Sequence, residues 1–190
     1  MRNWLLTIAL RDHDWVLWLD SDLWDAPHDL LQKLMASKKD LVVPNCIVAD
    51  SDPPRTYDLN SWQETPESLQ QLDGLPASQL VVEGYGERPT FRKHIGSLGG
   101  QCSSTSLEGA GEDTDQNAAA AAQPRPASCT VKLDGIGGSS ILARGDLFRS
   151  GLNFPAFVFQ HAVETEGLAK VAKAMGHQPY GMPNVHVFHK

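Results

Sequence analysis

Cysteine is scarce in this chain, at three residues in 190: Cys46, Cys102 and Cys129. No two of them form a C-x-x-C pair, which argues against a structural zinc site. With no disulfide-framework spacing the three are expected to be free thiols, although Cys102 and Cys129 bracket a loop and could bridge in an oxidising compartment. Positive charge is also short. Sixteen Lys and Arg face 23 Asp and Glu, a net charge of −7. That balance argues against a broad electrostatic grip on nucleic acid, so no nucleic-acid partner is expected. An anionic ligand would need a local cation, most simply a bound metal. Long apolar runs are missing too. The stretch from residue 4 to 10 is far shorter than the roughly 20 residues a membrane span needs, so no span is expected within the chain. No small-residue cleavage site follows it, and it reads as the end of a buried helix. No N-x-S/T sequon occurs.

What is present is an ordinary globular composition, 41% hydrophobic and 21% charged, enough for one domain with a real core. Residues 3 to 11 are expected to be helical. Residues 15 to 19, "WVLWL", read as a fully buried strand: short, continuous and apolar. "DAPHDLLQKLMAS" then opens a helix, with Asp25 as cap, Pro27 in the first turn, and Leu30, Leu31, Leu34 and Met35 on one face. "DLVVPN" is a second strand, stopped by Pro44. Strand, helix, strand at this spacing predicts a parallel α/β unit.

Residues 50 to 90 are proline-punctuated and loop-rich. Residues 99 to 129 are of low complexity and lack the periodicity of a core, so they read as a disordered insertion within the domain. Order returns with two short strands, 131 to 133 and 140 to 143, around a glycine-rich turn. A helix over 161 to 175 carries Val163, Leu168, Val171, Ala172 and Met175 as its apolar stripe and stops at Gly176. "NVHVFHK" closes the chain as a strand, with Val185, Val187 and His189 on one face.

Asp-x-Asp triplets occur four times, at 12/14, 20/22, 50/52 and 113/115, so spacing alone selects none. Context selects Asp20 and Asp22, which stand where an apolar strand leaves the sheet. In open α/β sheets, ligands bind beyond the carboxyl ends of strands. Two carboxylates there repel each other, and a divalent cation removes the conflict. Hard oxygens suit Mn²⁺ or Mg²⁺, which also take diphosphate oxygens. "RTYDLNSW" mixes polar and aromatic groups suited to holding a sugar. "LDGIGGSS" is not a phosphate loop, since it lacks the Lys-Ser/Thr ending. Its glycines let backbone pass close to a ligand, and Asp134 at its start is placed to orient an acceptor hydroxyl. Glu164 and Glu166 lie near a helix N-terminus, where the dipole favours acids; helical spacing turns them in different directions, so at most one faces a site.

Six stretches carry a family resemblance: "RNWLLTIALRDHDWVLWLDSD", "KDLVVPNC", "RTYDLNSWQE", "LDGIGGSSILARGDLFRSG", "FPAFVFQHAVETEGLAKVAKAMG" and "YGMPNVHVFH". In this order they resemble the fungal Golgi mannan-polymerase family of α-mannosyltransferases (Anp/Mnn/Van type). They cover most of the chain outside 99 to 129. The resemblance implies a glycosyltransferase-A-like, Rossmann-related mixed sheet flanked by helices. It implies transfer of mannose from GDP-mannose, with retention and with Mn²⁺ (or Mg²⁺), to a mannan or N-glycan acceptor in the Golgi.

By the same resemblance, Asp20, Ser21 and Asp22 would hold the nucleotide and metal, and His189 would complete the metal site. Asp58 matches an acidic active-site residue. Glu164 and Glu166 match the family's T-E-G segment, without an assigned role. Homologous glycosyltransferase subunits are the implied partners. The family pattern also implies a longer polypeptide, with a membrane anchor and the first strands of the nucleotide-binding half ahead of this segment, so residues 1 to 190 read as one catalytic region lacking its N-terminal strands. Two rival expectations are a transferase using another sugar nucleotide and a non-catalytic or truncated subunit of a glycosyltransferase complex.

Overall fold

A computed structural model describes residues 1–53, 55–84, 89–102 and 129–190. In chain order the elements are α1 (Arg2–Ala9), β1 (Trp15–Leu19), β2 (Leu23–Asp25), α2 (Leu30–Ala36), β3 (Leu41–Val48), β4 (Trp62–Gln63), α3 (Pro66–Asp73), β5 (Lys93–His94), a 3₁₀ helix (Ile95–Cys102), β6 (Val131–Lys132), β7 (Ser140–Arg144), α4 (Gly145–Arg149), α5 (Glu164–Ala174) and β8 (Tyr180–His189). The class is α/β. A six-stranded mixed sheet runs β1-β7-β3-β8-β2, with β6 also paired to β8. β7 is antiparallel to both β1 and β3, and β3 is parallel to β8. Strands β1, β3 and β8 therefore point the same way, and their carboxyl ends lie at one edge of the fold.

Alternation along the central strands divides the core. Leu41, Val43, Ile141 and Ala143 face one layer with Leu168, Ala169 and Ala172 of α5 and with the 3₁₀ helix. Val42, Cys46, Leu142, Val185 and Val187 face the other, under Leu30 and Leu34 of α2. Burying a Leu or Val side chain contributes about 1.5–3 kcal/mol relative to exposure, so the central strands are apolar on both faces.

Several local expectations are corrected. β1 is not fully buried: its first four residues are half-buried and Leu19 is 51% exposed. Among the described residues it lies at the edge of the sheet, paired only with β7. The predicted parallel unit exists, but β7 is inserted between β1 and β3. Pro44 does not end β3. The pairing instead skips from Pro44–Met182 to Asn45–His186, an irregularity of the kind that lets a strand carry a residue without an N–H. α1 is not a buried helix end, since none of its residues is buried and Trp4 and Ile8 are exposed. α2 begins at Leu30, and Asp25 belongs to β2 rather than to a cap. Of its predicted face, Leu30 and Leu34 are buried while Leu31 and Met35 are about 40% exposed. α5 stops as expected, with Gly176 at φ 89°.

The thiols differ as well. Cys102 and Cys129 form a disulfide, with Cα atoms 5.6 Å apart, and only Cys46 is free. The expected low-complexity insertion lies outside the described residues from 103 to 128. Its first residues do not fit the expectation: Gly99 and Cys102 are buried in the 3₁₀ helix. No helix among the described residues is long and apolar enough to cross a membrane.

Candidate functional site

Beyond the carboxyl ends of β1 and β3 lies a cleft of about 420 Å³, whose lining includes Arg2, Asp20, Tyr57, Asp58, Glu83, Ser139 and Glu164. β8 does not line it; its end reaches the cleft wall through the stack of His189 on Tyr57. β1 ends at Leu19, and the amide of Asp20 donates to the Ser139 carbonyl at 3.0 Å, keeping Asp20 at the sheet edge. The chain then turns and returns as β2, which pairs antiparallel with the end of β8, Leu23 opposite His189. That pairing sets His189 Nε2 3.2 Å from Asp22 Oδ2. β3 is followed by the loop 55–60, seated on it by a hydrogen bond from the Tyr57 amide to the Cys46 carbonyl (2.8 Å). The loop presents Asp58, whose Oδ2 accepts from Ser139 Oγ at 3.1 Å.

The glycine-rich turn before β7 serves this packing. A Cβ on Gly137 would lie 1.7 Å from Asp58 Oδ2, and one on Gly135 would lie 2.3 Å from the buried Trp62 ring. The close neighbours that require glycine here are side chains of the protein itself.

Charges in the cleft are matched in part. Arg2 Nη2 donates to Asp20 Oδ1 at 3.1 Å, and Arg2 Nη1 pairs with Glu164 Oε1. Burial pushes the Asp20 carboxyl above its ordinary value; the charges of Asp22 and Asp58 add to this and Arg2 opposes it. The Lys190 main-chain oxygen and then the Asp22 and Asp20 carboxylates outweigh burial and raise the His189 imidazole. The His189 ring also stacks on Tyr57, centroids 3.7 Å apart and planes within 7°.

Of the residues expected from sequence, Asp20, Asp58 and Glu164 line the cleft, and Asp22 and His189 meet beside Asp20. Ser21 is an exposed turn residue between the two aspartates. Asp134 is not brought there: it accepts from the Glu64 amide at 2.8 Å and pairs with Lys173. Glu166 lies behind the cleft, where it accepts from the Trp62 indole at 2.9 Å. The expected divergence of Glu164 and Glu166 is observed, one 64% exposed and the other 4% by side chain.

A buried charge network backs the cleft, and nothing in the sequence pattern announced it. Arg92, 1% exposed by side chain, lies 3.7 Å over the Trp62 ring and within 3.5–3.8 Å of Glu64, Glu83 and Glu166. Lys170 pairs with Glu64 at 2.8 Å. Arg2 was equally silent in the sequence, where it is one cation at the start of a helix.

Two carboxylates and an imidazole are the donor types that suit Mn²⁺ or a similar divalent cation. Asp22 and His189 converge as a donor pair. The Asp20 carboxylate is turned to Arg2, and among the described residues no group of three His, Cys, Asp or Glu side chains is close enough together to hold an ion. The cation chemistry fits the pair, with Asp20 as its neighbour.

A family model described as Anp1 matches residues 1–158. Among curated relatives, the mannan polymerase I complex VAN1 subunit of Saccharomyces cerevisiae is 38% identical over 99% of this chain and 32% of its own length. The mannan polymerase II complex anp1 subunit of Schizosaccharomyces pombe is 38% identical, over 99% of this chain and 40% of its own. The mannan polymerase complex subunit mnn9 of the same yeast is 33% identical, over 99% and 50%. The chain thus spans about a third to a half of the length of these proteins.

Proposed function

Because the chain belongs to the Anp1 family, we propose that it is the catalytic region of a mannan polymerase subunit, a metal-dependent retaining mannosyltransferase with a glycosyltransferase-A-like fold. The donor is GDP-mannose, the acceptor a mannan or N-glycan chain, the place the Golgi, and the partners homologous subunits. The observation that carries this reading is the β2–β8 pairing, which sets Asp22 against His189 at the carboxyl ends of three parallel strands, beside Asp20 and Asp58. The relatives named as mannan polymerase subunits support the choice of sugar.

Asp22 and His189 would hold the divalent cation, which when bound neutralises charge growing on the departing diphosphate. The protein's own groups do the rest. Arg2 places a fixed guanidinium in the cleft between Asp20 and Glu164. Asp58, oriented by Ser139, presents a carboxylate oxygen to a sugar hydroxyl. Glu164, which lines the same cleft, is the second carboxylate within reach of an incoming acceptor. No enzyme nucleophile is invoked.

The test is mannosyl transfer by the full-length protein offered several sugar nucleotides with Mn²⁺. GDP-mannose should be the donor consumed, and Asp22→Asn should lower turnover by roughly a hundredfold or more. Undiminished transfer by that variant would sink the assignment, and consumption of a UDP-sugar instead would move the protein to another donor class. A second reading, a non-catalytic subunit that stabilises an active relative, is favoured by the Asp20–Arg2 contact, which occupies one expected ligand. Calorimetry with GDP and Mn²⁺ separates the two: a folded protein that binds neither is the scaffold.

A further inference from the structure

We propose that Tyr57 is a positioning residue for His189, holding the imidazole so that Nε2 is aimed at Asp22; the proposal rests on the reading above, in which His189 and Asp22 serve a divalent cation. A histidine at the end of a strand has a free χ2 rotation unless its ring is clamped. Here the clamp is face-on. The rings are 3.7 Å apart and parallel within 7°, so any turn of the imidazole out of plane drives it into the tyrosine. In-plane aim is set at the other nitrogen, where Nδ1 lies 2.8 Å from the Lys190 main-chain oxygen. With Nδ1–H committed there, Nε2 is the atom left for Asp22, 3.2 Å away. Fixing a ligand histidine by contacts to its other nitrogen and its ring is how supporting residues tune a metal site.

Tyr57 is itself held. Its amide donates to the Cys46 carbonyl at 2.8 Å, and Thr56 bridges to Ile47. β3 is also the strand that pairs with β8, Val48 opposite His189, so clamp and ligand are seated on one strand. Tyr57 remains 43% exposed, facing the cleft, so burial alone does not account for a large aromatic at this place. The same loop carries Asp58 into the cleft, which ties the substrate wall to the imidazole.

The experiment measures Mn²⁺ affinity of the full-length protein without donor, by electron paramagnetic resonance of free Mn²⁺, for wild type, Y57F, Y57A, Y57L, H189A and Y57A/H189A. Y57F keeps the flat ring and should bind within about twofold of wild type. Y57A and Y57L should weaken binding by about 10- to 100-fold, with circular dichroism unchanged. Y57L keeps apolar bulk without the flat face and stands in if Y57A does not fold. In the H189A background, Y57A should add nothing. A folded Y57A and Y57L with wild-type affinity, or an equal loss from Y57A with and without His189, overturns the role of Tyr57 alone. Wild type that does not bind Mn²⁺ overturns the cation reading, and this inference with it.

Discussion

Glu83 and Glu166 stand against the same buried guanidinium, that of Arg92, yet their carboxyls move in opposite directions. Burial pushes Glu83 up, but hydrogen bonds from His94 and Thr90, with Arg92 and His94 charge, outweigh it and hold its carboxyl below the ordinary value. For Glu166 burial wins over the Trp62 indole and Arg92, and the carboxyl lies above its ordinary 4.5. The folded protein therefore binds the Glu166 proton more tightly than the unfolded chain does. Its contribution to stability is fully present below about pH 4.5 and is lost as pH rises through the raised folded value. Glu166→Gln keeps an acceptor for the indole and removes the titration. Its stability relative to wild type should improve between pH 4.5 and 7, read as the difference in melting temperature at the two values. A constant difference would show that folding leaves the Glu166 titration unshifted.

At the scale of elements, two long-range ties decide what the strands and helices can do. One is the β2–β8 pairing, three residues of β2 that convert an acidic turn into a partner for His189. The other is the Cys102–Cys129 disulfide, which joins the end of the 3₁₀ helix to the residues just before β6, across a sequence separation of 27. Both elements pack into the core layer under α5. Closing a loop of this length restricts the unfolded chain, an effect of about 2–4 kcal/mol. C102S/C129S should lose about that much in denaturant unfolding, and reduction of wild type should do the same. The free thiol offers an internal check. Burial pushes Cys46 up to about 11, so it stays protonated and out of reach of alkylating reagents at pH 8. Mass spectrometry should find no label on the native protein, one after unfolding, and three after unfolding with reduction.

The 190 residues together carry −7, and among the described residues the cleft sets Asp20, Asp58, Glu83 and Glu164 against one lining arginine, Arg2. Such a surface repels a nucleoside diphosphate unless a cation intervenes. On the proposed function, GDP affinity should fall by at least about tenfold when EDTA removes divalent ions, and Mn²⁺ should restore it. GDP binding that ignores EDTA would place the burden on Arg2 instead.

Reading along the chain was enough to establish an α/β class, the stop of α5 at Gly176 and the apolar face of β8; it started α5 at 161, whereas the helix begins at Glu164 and Val163 is its extended cap residue. It also singled out Asp20 and Asp22 among four Asp-x-Asp triplets, because periodicity and turn chemistry are local properties of neighbouring residues. Helix α3 was missed in the loop-rich stretch, although Thr65 and Pro66 are a cap and a first-turn residue that local rules can see. What lay beyond local rules was neighbourhood. A run such as "WVLWL" states that a strand is apolar, not that it lies at an edge. The partners of Arg2, the stack of Tyr57 on His189 and the gathering of three glutamates around Arg92 join residues far apart in sequence. Only sheet order and register decide such meetings, since burial and charge pairing act between surfaces that the chain brings together after its local structure has formed.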